Sequence, residues 1–258
     1  MIITSICFGK KYEPILPHWI KRISTIHPNA SIIIHRMPEV LSFPSNEVRR
    51  IYDYNTNTSM IRWSHEGEAF WDVVRLEKNL ELLEQSGQPI IHCDLDIIVE
   101  KDLTPLIELG NDMVISRETW GDPLPFCSGF YILFPSGLAL FRTILAQMKE
   151  KRYGTYGDQH TLREYILREN PTISSIYVDG FHHTIVSTNT IRICILDMNA
   201  IQRDPIRQER QFANHINVDN VGGSPTFIRF FYEPMKQLPK TCRCGKTHLG
   251  NREKCIHA

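Results

Sequence analysis

Between Glu66 and Cys93 the chain writes an amphipathic helix and follows it at once with an unbroken apolar strand, and that pairing limits the fold more than any other feature. In "EGEAFWDVVRLEKNLELLEQSG", Ala69, Val73, Leu76, Leu80 and Leu83 recur at steps of four and three, one apolar stripe facing a core. Ser86 and Gly87 supply the stop. "QPIIHC" then reads as a strand covered on both faces. The same alternation continues on either side. "IITSICFG" (2–9) and "ASIIIHR" (30–36) are β-branched strands bounding a helix over "EPILPHWIKRISTIH". "DMVISRE" (112–118), "CSGFYILF" (127–134), "SSIYVD" and "IRICILD" are further strands, and "SGLALFRTILAQMKEK" and "GDQHTLREYILREN" are helices, the second with Asp158 as its expected N-cap. Strands separated by helices of this length imply βαβ units. The expectation is an α/β, Rossmann-like domain over residues 1–235 with a mostly parallel sheet and helices on both faces.

At 258 residues such a domain can bury a sizeable core. The formal net charge of zero gives no electrostatic footprint for nucleic acid. The N-terminus lacks a basic leader with an apolar core, and the longest apolar stretch, "GFYILFPSGLALF", is broken by Pro135, Ser136 and Gly137. A soluble cytoplasmic protein is therefore expected. Residues 236–258 form a basic tail in which Lys236, Lys240, Arg243, Lys246, Arg252 and Lys254 face one acid, Glu253. That tail suits either a solvated end or peripheral contact with a membrane or other anionic surface.

The seven cysteines divide into two groups. Cys7, Cys93, Cys127 and Cys194 sit in apolar, strand-like surroundings and read as buried thiols. Cys242, Cys244, Cys255 and His257 crowd the tail, with His248 between them. They would suit a structural Zn2+ site, although C-x-C is tighter than the usual ligand gap; free thiols and a disulfide stay open.

Chemistry enters in "IIHCDLDIIVEKDL" (90–103), where the apolar strand meets Asp94 and Asp96. Ligands of open α/β sheets bind beyond the carboxyl ends of the strands, where these residues fall. On an extended chain positions i and i+2 point the same way, so the two carboxylates repel unless a cation lies between them. Oxygen ligands of this kind suit Mn2+ or Mg2+ and leave coordination positions for phosphate oxygens. A D-x-D at a strand end is also compatible with a haloacid-dehalogenase-type phosphohydrolase, or with a non-catalytic sugar-nucleotide or glycan-binding module. The first places its motif near the start of the domain and needs a second downstream acid, which "GDQHTLRE" does not supply.

"WDVVRLEKNLELLEQSGQPIIHCDLDIIVEKDLTPLIEL", "CSGFYILFPSGLALFRTIL" and "TYGDQHTLREYI" together resemble the core of GT-A-fold glycosyltransferases, the glycogenin-like and related nucleotide-diphospho-sugar transferases, over roughly residues 68–168. The resemblance implies a metal-dependent hexosyltransferase-like enzyme taking a UDP- or GDP-sugar donor and a glycan acceptor. It implies Asp96 as the main metal ligand and Asp94 as a ligand of metal or ribose, with Mn2+ or Mg2+ neutralising the diphosphate leaving group. A third ligand is expected from His215, in "QFANHINVDN", with His182 and His183 as competitors. Asp72 and Arg75 would reach toward the donor, against the alternative of an i,i+3 pair on the helix surface. Ser128 and Gly129 would line the donor-sugar pocket and Gln159 would accompany Asp158 there, while Cys127 stands where many relatives carry Asn. Asp158, Asp122 and Glu118 are candidates for a base at the acceptor hydroxyl. Tyr12, after the first strand, would border the nucleotide base by analogy of fold.

Overall fold

The computed structural model describes residues 1–8, 15–37, 48–49, 58–62, 71–118, 123–151, 157–202, 212–215, 240–241 and 247–248. In chain order the elements are β1 (Ile2–Phe8), α1 (Leu16–Ile26), β2 (Ser31–Met37), β3 (Val48–Arg49), β4 (Thr58–Arg62), α2 (Trp71–Ser86), β5 (Ile90–Cys93), β6 (Ile97–Val99), α3 (Thr104–Ile107), β7 (Met113–Arg117) and β8 (Phe126–Leu133). A 3₁₀ turn (Pro135–Gly137) leads into α4 (Leu138–Lys151) and α5 (Gly157–Arg168). The chain continues through β9 (Thr172–Val178), β10 (Phe181–Ser187), β11 (Arg192–Ile195), β12 (Ile201–Gln202), β13 (Ala213–His215), β14 (Lys240–Thr241) and β15 (Thr247–His248).

One sheet dominates, in the order β3-β4-β2-β1-β5-β8-β7-β11-β10-β9. β4, β2, β1 and β5 are parallel neighbours, as are β7 and β11, while β8, β10 and β3 run against the rest. The sheet is therefore mostly parallel in strand direction, as the βαβ pattern implies, with β8 inserted as an antiparallel strand at its centre. Alternation along β5 feeds both faces. Ile91 and Cys93 join Ile3, Ile32, Ile34, Trp19, Ile20 and Ile23 in the core beneath α1. Ile90 points the other way, into a second core with Leu76, Leu80, Leu83, Phe141, Ile144, Leu162 and Ile166, beneath α2, α4 and α5. Gly87 ends α2 in the left-handed conformation (φ +61°), its N–H bonded to the Leu83 carbonyl at 2.9 Å.

One expectation changes, and one strand is added that the sequence reading did not include. The Asp94–Asp96 stretch is not extended chain inside one buried element. Ile97 N–H donates to the Asp94 carbonyl at 2.9 Å, making a turn across which the chain leaves the large sheet at Cys93 and enters a small β12-β13-β6 sheet at Ile97. Leu95 plugs the core and the aspartates flank it, each half-buried. The added strand is "FHHTIVS", β10, folded onto β9 by a two-residue turn at Asp179-Gly180, both with positive φ (51° and 87°).

Cys7, Cys93, Cys127 and Cys194 are buried thiols outside any disulfide, as read from their surroundings. No helix among the described residues is long and apolar enough to cross a membrane. Of the tail, β14 and β15 form a two-stranded antiparallel sheet; Cys242, Cys244, Cys255 and His257 lie outside the described residues.

Candidate active site

Helix α2 runs back along the sheet into β5, which brings its first turns level with the carboxyl end of β5 and with the start of the antiparallel β8. Three polar side chains ride on its buried side: Asp72, Arg75 and Asn79, beside the Leu76-Leu80-Leu83 stripe. They are not a surface ion pair. Arg75 is fully buried and reaches three elements at once. Its Nη1 donates to Asp94 Oδ1 at 3.3 Å, and its Nη2 donates to Ser128 Oγ at 2.7 Å and to Asp158 Oδ2. Burial alone would disfavour the guanidinium, but the carboxylates of Asp158 and Asp94 outweigh it and drive its pKa up.

Ser128 Oγ donates to Asp158 Oδ1 at 3.1 Å, so β8 and α5 are joined directly. The Gln159 amide is oriented with its nitrogen toward the Phe126 carbonyl (2.9 Å) and its oxygen toward Ser128 N–H (3.2 Å) and Oγ (3.0 Å); the reverse orientation sets carbonyl oxygen against carbonyl oxygen. Asp158 does not cap its helix in the expected manner. α5 already begins at Gly157, and Asp158 Oδ1 accepts from the next residue, Gln159 N–H, at 2.8 Å. The helix start is instead held by Asp72, whose Oδ2 accepts from Gly157 N–H at 2.8 Å and whose Oδ1 accepts from Val73 N–H at 2.9 Å. Burial, with Asp158 nearby, raises the Asp72 pKa. Asp72 thus ties α2 to α5.

The Asp94 carboxylate is gripped from the other side by a residue that sequence reasoning passed over. His92 Nε2 lies 2.9 Å from Asp94 Oδ1, and its Nδ1 lies 3.2 Å from both Asn79 Nδ2 and Thr4 Oγ1. Asn79 Nδ2 also donates to Tyr131 OH at 2.7 Å, and the His92 ring stacks on Tyr131 at 4.8 Å. Burial pushes the His92 pKa down, despite the opposing pull of Asp94. The available signal was positional: His92 stands two residues before Asp94, on the same side of the strand, in an otherwise apolar run.

The structure brings together Asp72, Arg75, Asp94, Ser128, Asp158 and Gln159, with Gly129 carbonyl accepting from Asp94 N–H at 2.8 Å and Asp96 two residues along the turn. A cavity of about 20 Å³, room for a single water, opens beside Ser128, Asp158 and Gln159 among apolar side chains of α4 and α5. His215 is placed by register: β13 pairs antiparallel with β6, setting His215 opposite Ile97, the residue after Asp96. Among the described residues no group of three or more His, Cys, Asp and Glu side chains is gathered closely enough to hold a metal ion, so the two carboxylates of the turn are the oxygen donors on which a hard divalent ion would have to rely. His182 and His183 are elsewhere, on β10, four strands from β5 and so about 19 Å across the sheet. His183 is buried, with Nδ1 accepting from Asp197 N–H at 3.0 Å. Glu118 is buried at the end of β7. Tyr12 and Asp122 lie outside the described residues.

A solved glycosyltransferase involved in glycosylation of the major capsid of PBCV-1 superposes on 84% of this chain and 94% of its own, at 15% identity and a TM-score of 0.50. The chain has a GT-A-like glycosyltransferase fold. Looser likenesses are found to the galactosyltransferase LgtC in complex with donor and acceptor sugar analogues (18% identity, 64% of this chain and 70% of that one, TM-score 0.43) and to the apo form of the glycosyltransferase GlyE of Streptococcus pneumoniae TIGR4 (17%, 64% and 42%, TM-score 0.44). No protein-family model and no curated protein sequence matches.

Proposed function

We propose that this protein is a metal-dependent glycosyltransferase that moves a sugar from a UDP- or GDP-sugar to the hydroxyl of a glycan acceptor. The observation that carries the reading is the meeting of Asp94, Arg75, Ser128 and Asp158 at the carboxyl end of β5. Three separate segments place charge, and a fourth a hydroxyl, at one point on a fold shared with a solved glycosyltransferase. A buried guanidinium with its carboxylates is not a neutral packing choice, since each such group costs several kcal/mol to desolvate.

Asp94, Asp96 and His215 would hold Mn2+ or Mg2+, which supplies positive charge to the diphosphate as it leaves the sugar. The protein's own groups do the positioning. Arg75 fixes Asp94 and Asp158 relative to each other, and Ser128 and Gln159 hold the Asp158 carboxylate in register with β8. Asp158 is then the side chain best set to orient the transferred sugar or the acceptor hydroxyl, with Ser128 and Gly129 beneath it.

Thermal unfolding with a panel of nucleoside diphosphates, with and without Mn2+, tests the reading on the wild type and on Asp96→Ala. A ligand at 100 times its dissociation constant adds about 2.7 kcal/mol of stability. A Mn2+-dependent shift with one nucleotide, lost in Asp96→Ala, supports the transferase and names its donor class. A protein that melts cooperatively and shifts with none of them refutes it.

A further inference from the structure

Beneath Asp94 the large sheet carries a row of polar side chains where a core would ordinarily be apolar. Thr4 on β1 and Tyr131 on β8 are the direct neighbours of His92 on β5, and Asn79 of α2 lies over them; all four are buried. The bonds in this row have a direction. A carboxylate only accepts, so the ring nitrogen facing Asp94 Oδ1, Nε2, carries the proton. Nδ1 is then the acceptor, and Asn79 Nδ2 donates to it while also donating to Tyr131 OH. Stacking on Tyr131 fixes the ring plane. Every degree of freedom of the imidazole is thus set from below, and the one contact it makes upward is to the carboxylate at the head of the D-x-D turn.

Resting on the glycosyltransferase reading, we propose that His92 is a positioning residue: locked by Asn79 and Tyr131, it holds Asp94 Oδ1 in place for the divalent ion and the nucleotide, without touching either. Arg75 grips the same oxygen from the α2 side, so among the described residues Asp94 is oriented by donors from both α2 and β5. Outer partners of this kind commonly change metal affinity by 10- to 100-fold when removed.

The test is Mn2+-dependent binding of UDP and GDP by calorimetry to the wild type, His92→Phe, His92→Gln and Asn79→Leu. His92→Gln keeps an N–H donor toward Asp94. The expected result is a roughly 10- to 100-fold weaker complex in His92→Phe, a smaller loss in Asn79→Leu, near wild-type affinity in His92→Gln, and no added loss from Asn79→Leu on top of His92→Phe. A folded His92→Phe protein that binds as tightly as the wild type overturns the proposal. If His92→Phe does not fold, Asn79→Leu decides alone, and unchanged affinity there overturns it. The 15N shifts of the His92 ring in the ligand-free protein separate the two readings. An Nε2–H tautomer that becomes mixed in Asn79→Leu supports the lock, and an Nδ1–H tautomer sinks it whatever binds. A wild type that binds neither nucleotide removes the transferase reading and this role with it, while the tautomer still reports the geometry.

Discussion

Arg75→Met is the perturbation that most directly exposes how the site is built. The thread of the side chain is kept, so the packing lost is small, but the guanidinium within bonding distance of both Asp94 and Asp158 disappears. Asp158 is nine-tenths buried and Asp94 three-quarters buried, so water cannot readily take over. Removing one partner of a buried ion pair leaves an uncompensated charge and costs about 3–5 kcal/mol. In a chain of this size that is a fall in Tm on the order of 10 °C. Urea denaturation at pH 7 measures the loss. The carboxylate left behind is the reason for it, so adding Asp158→Asn to Arg75→Met should return part of the stability, a coupling of at least about 1 kcal/mol between the two positions. If Arg75→Met costs less than about 1 kcal/mol, or if the double variant is simply additive, the guanidinium is not balancing those charges and the account of the site fails.

Three further outcomes rest on other parts of the fold. Gly137→Ala sets a Cβ 2.7 Å from the Asp112 carbonyl oxygen and 2.6 Å from Phe141 Cε2, and backbone cannot give way as a side-chain tip can; a loss of about 1–3 kcal/mol in urea denaturation is expected. His35 is buried, and burial, with His92 and Lys78 adding to it, pushes its pKa down to about 3. The unfolded chain therefore binds the extra proton between about pH 6.5 and pH 3, stability is fully present above that window, and it should fall by about 1.4 kcal/mol per pH unit on acidification; His35→Gln should remove that part of the slope. Asp72→Ala frees both Val73 N–H and Gly157 N–H, which should cost about 1–2 kcal/mol and speed hydrogen exchange at the Gly157 amide.

Periodicity made the sheet and its covering helices legible, because burial of one face imposes a spacing that the chain must write down. The column Asp72, Arg75, Asn79 was visible for the same reason: three polar residues at helical steps beside Leu76, Leu80 and Leu83. Their partners were not visible, since Ser128 and Asp158 lie 53 and 83 residues from Arg75 and no local rule carries that distance. The D-x-D turn misled because apolar residues resume immediately at Ile97. A run that changes sheets reads the same as a run that continues, as both sides are buried. β10 was passed over because His182 and His183 look like chemistry. The Asp179-Gly180 pair before them is a hairpin turn signal, and it was the better guide.

The charge balance of the site carries the argument one step further. Among the described residues, the guanidinium of Arg75 stands against the carboxylates of Asp94, Asp96, Asp158 and Asp72, the last with a raised pKa. A diphosphate brought to the D-x-D turn alone meets a surplus of negative charge, so the proposed donor and the proposed cation must bind as mutual conditions. Metal-free affinity for UDP or GDP should therefore be weak, and removing one negative charge should improve it. At a separation on the order of 7 Å and an effective dielectric constant of about 40, one unit of charge on each partner is worth roughly 1 kcal/mol, so Asp158→Asn should tighten metal-free nucleotide binding by about fivefold. The same substitution should leave sugar transfer impaired, because it removes the carboxylate that Ser128 and Gln159 hold in place. Calorimetry in chelator reads the first effect and turnover with Mn2+ reads the second. Nucleotide that binds as well in chelator as in Mn2+, and no better to Asp158→Asn, would show that the carboxylates of this turn do not face the phosphates at all.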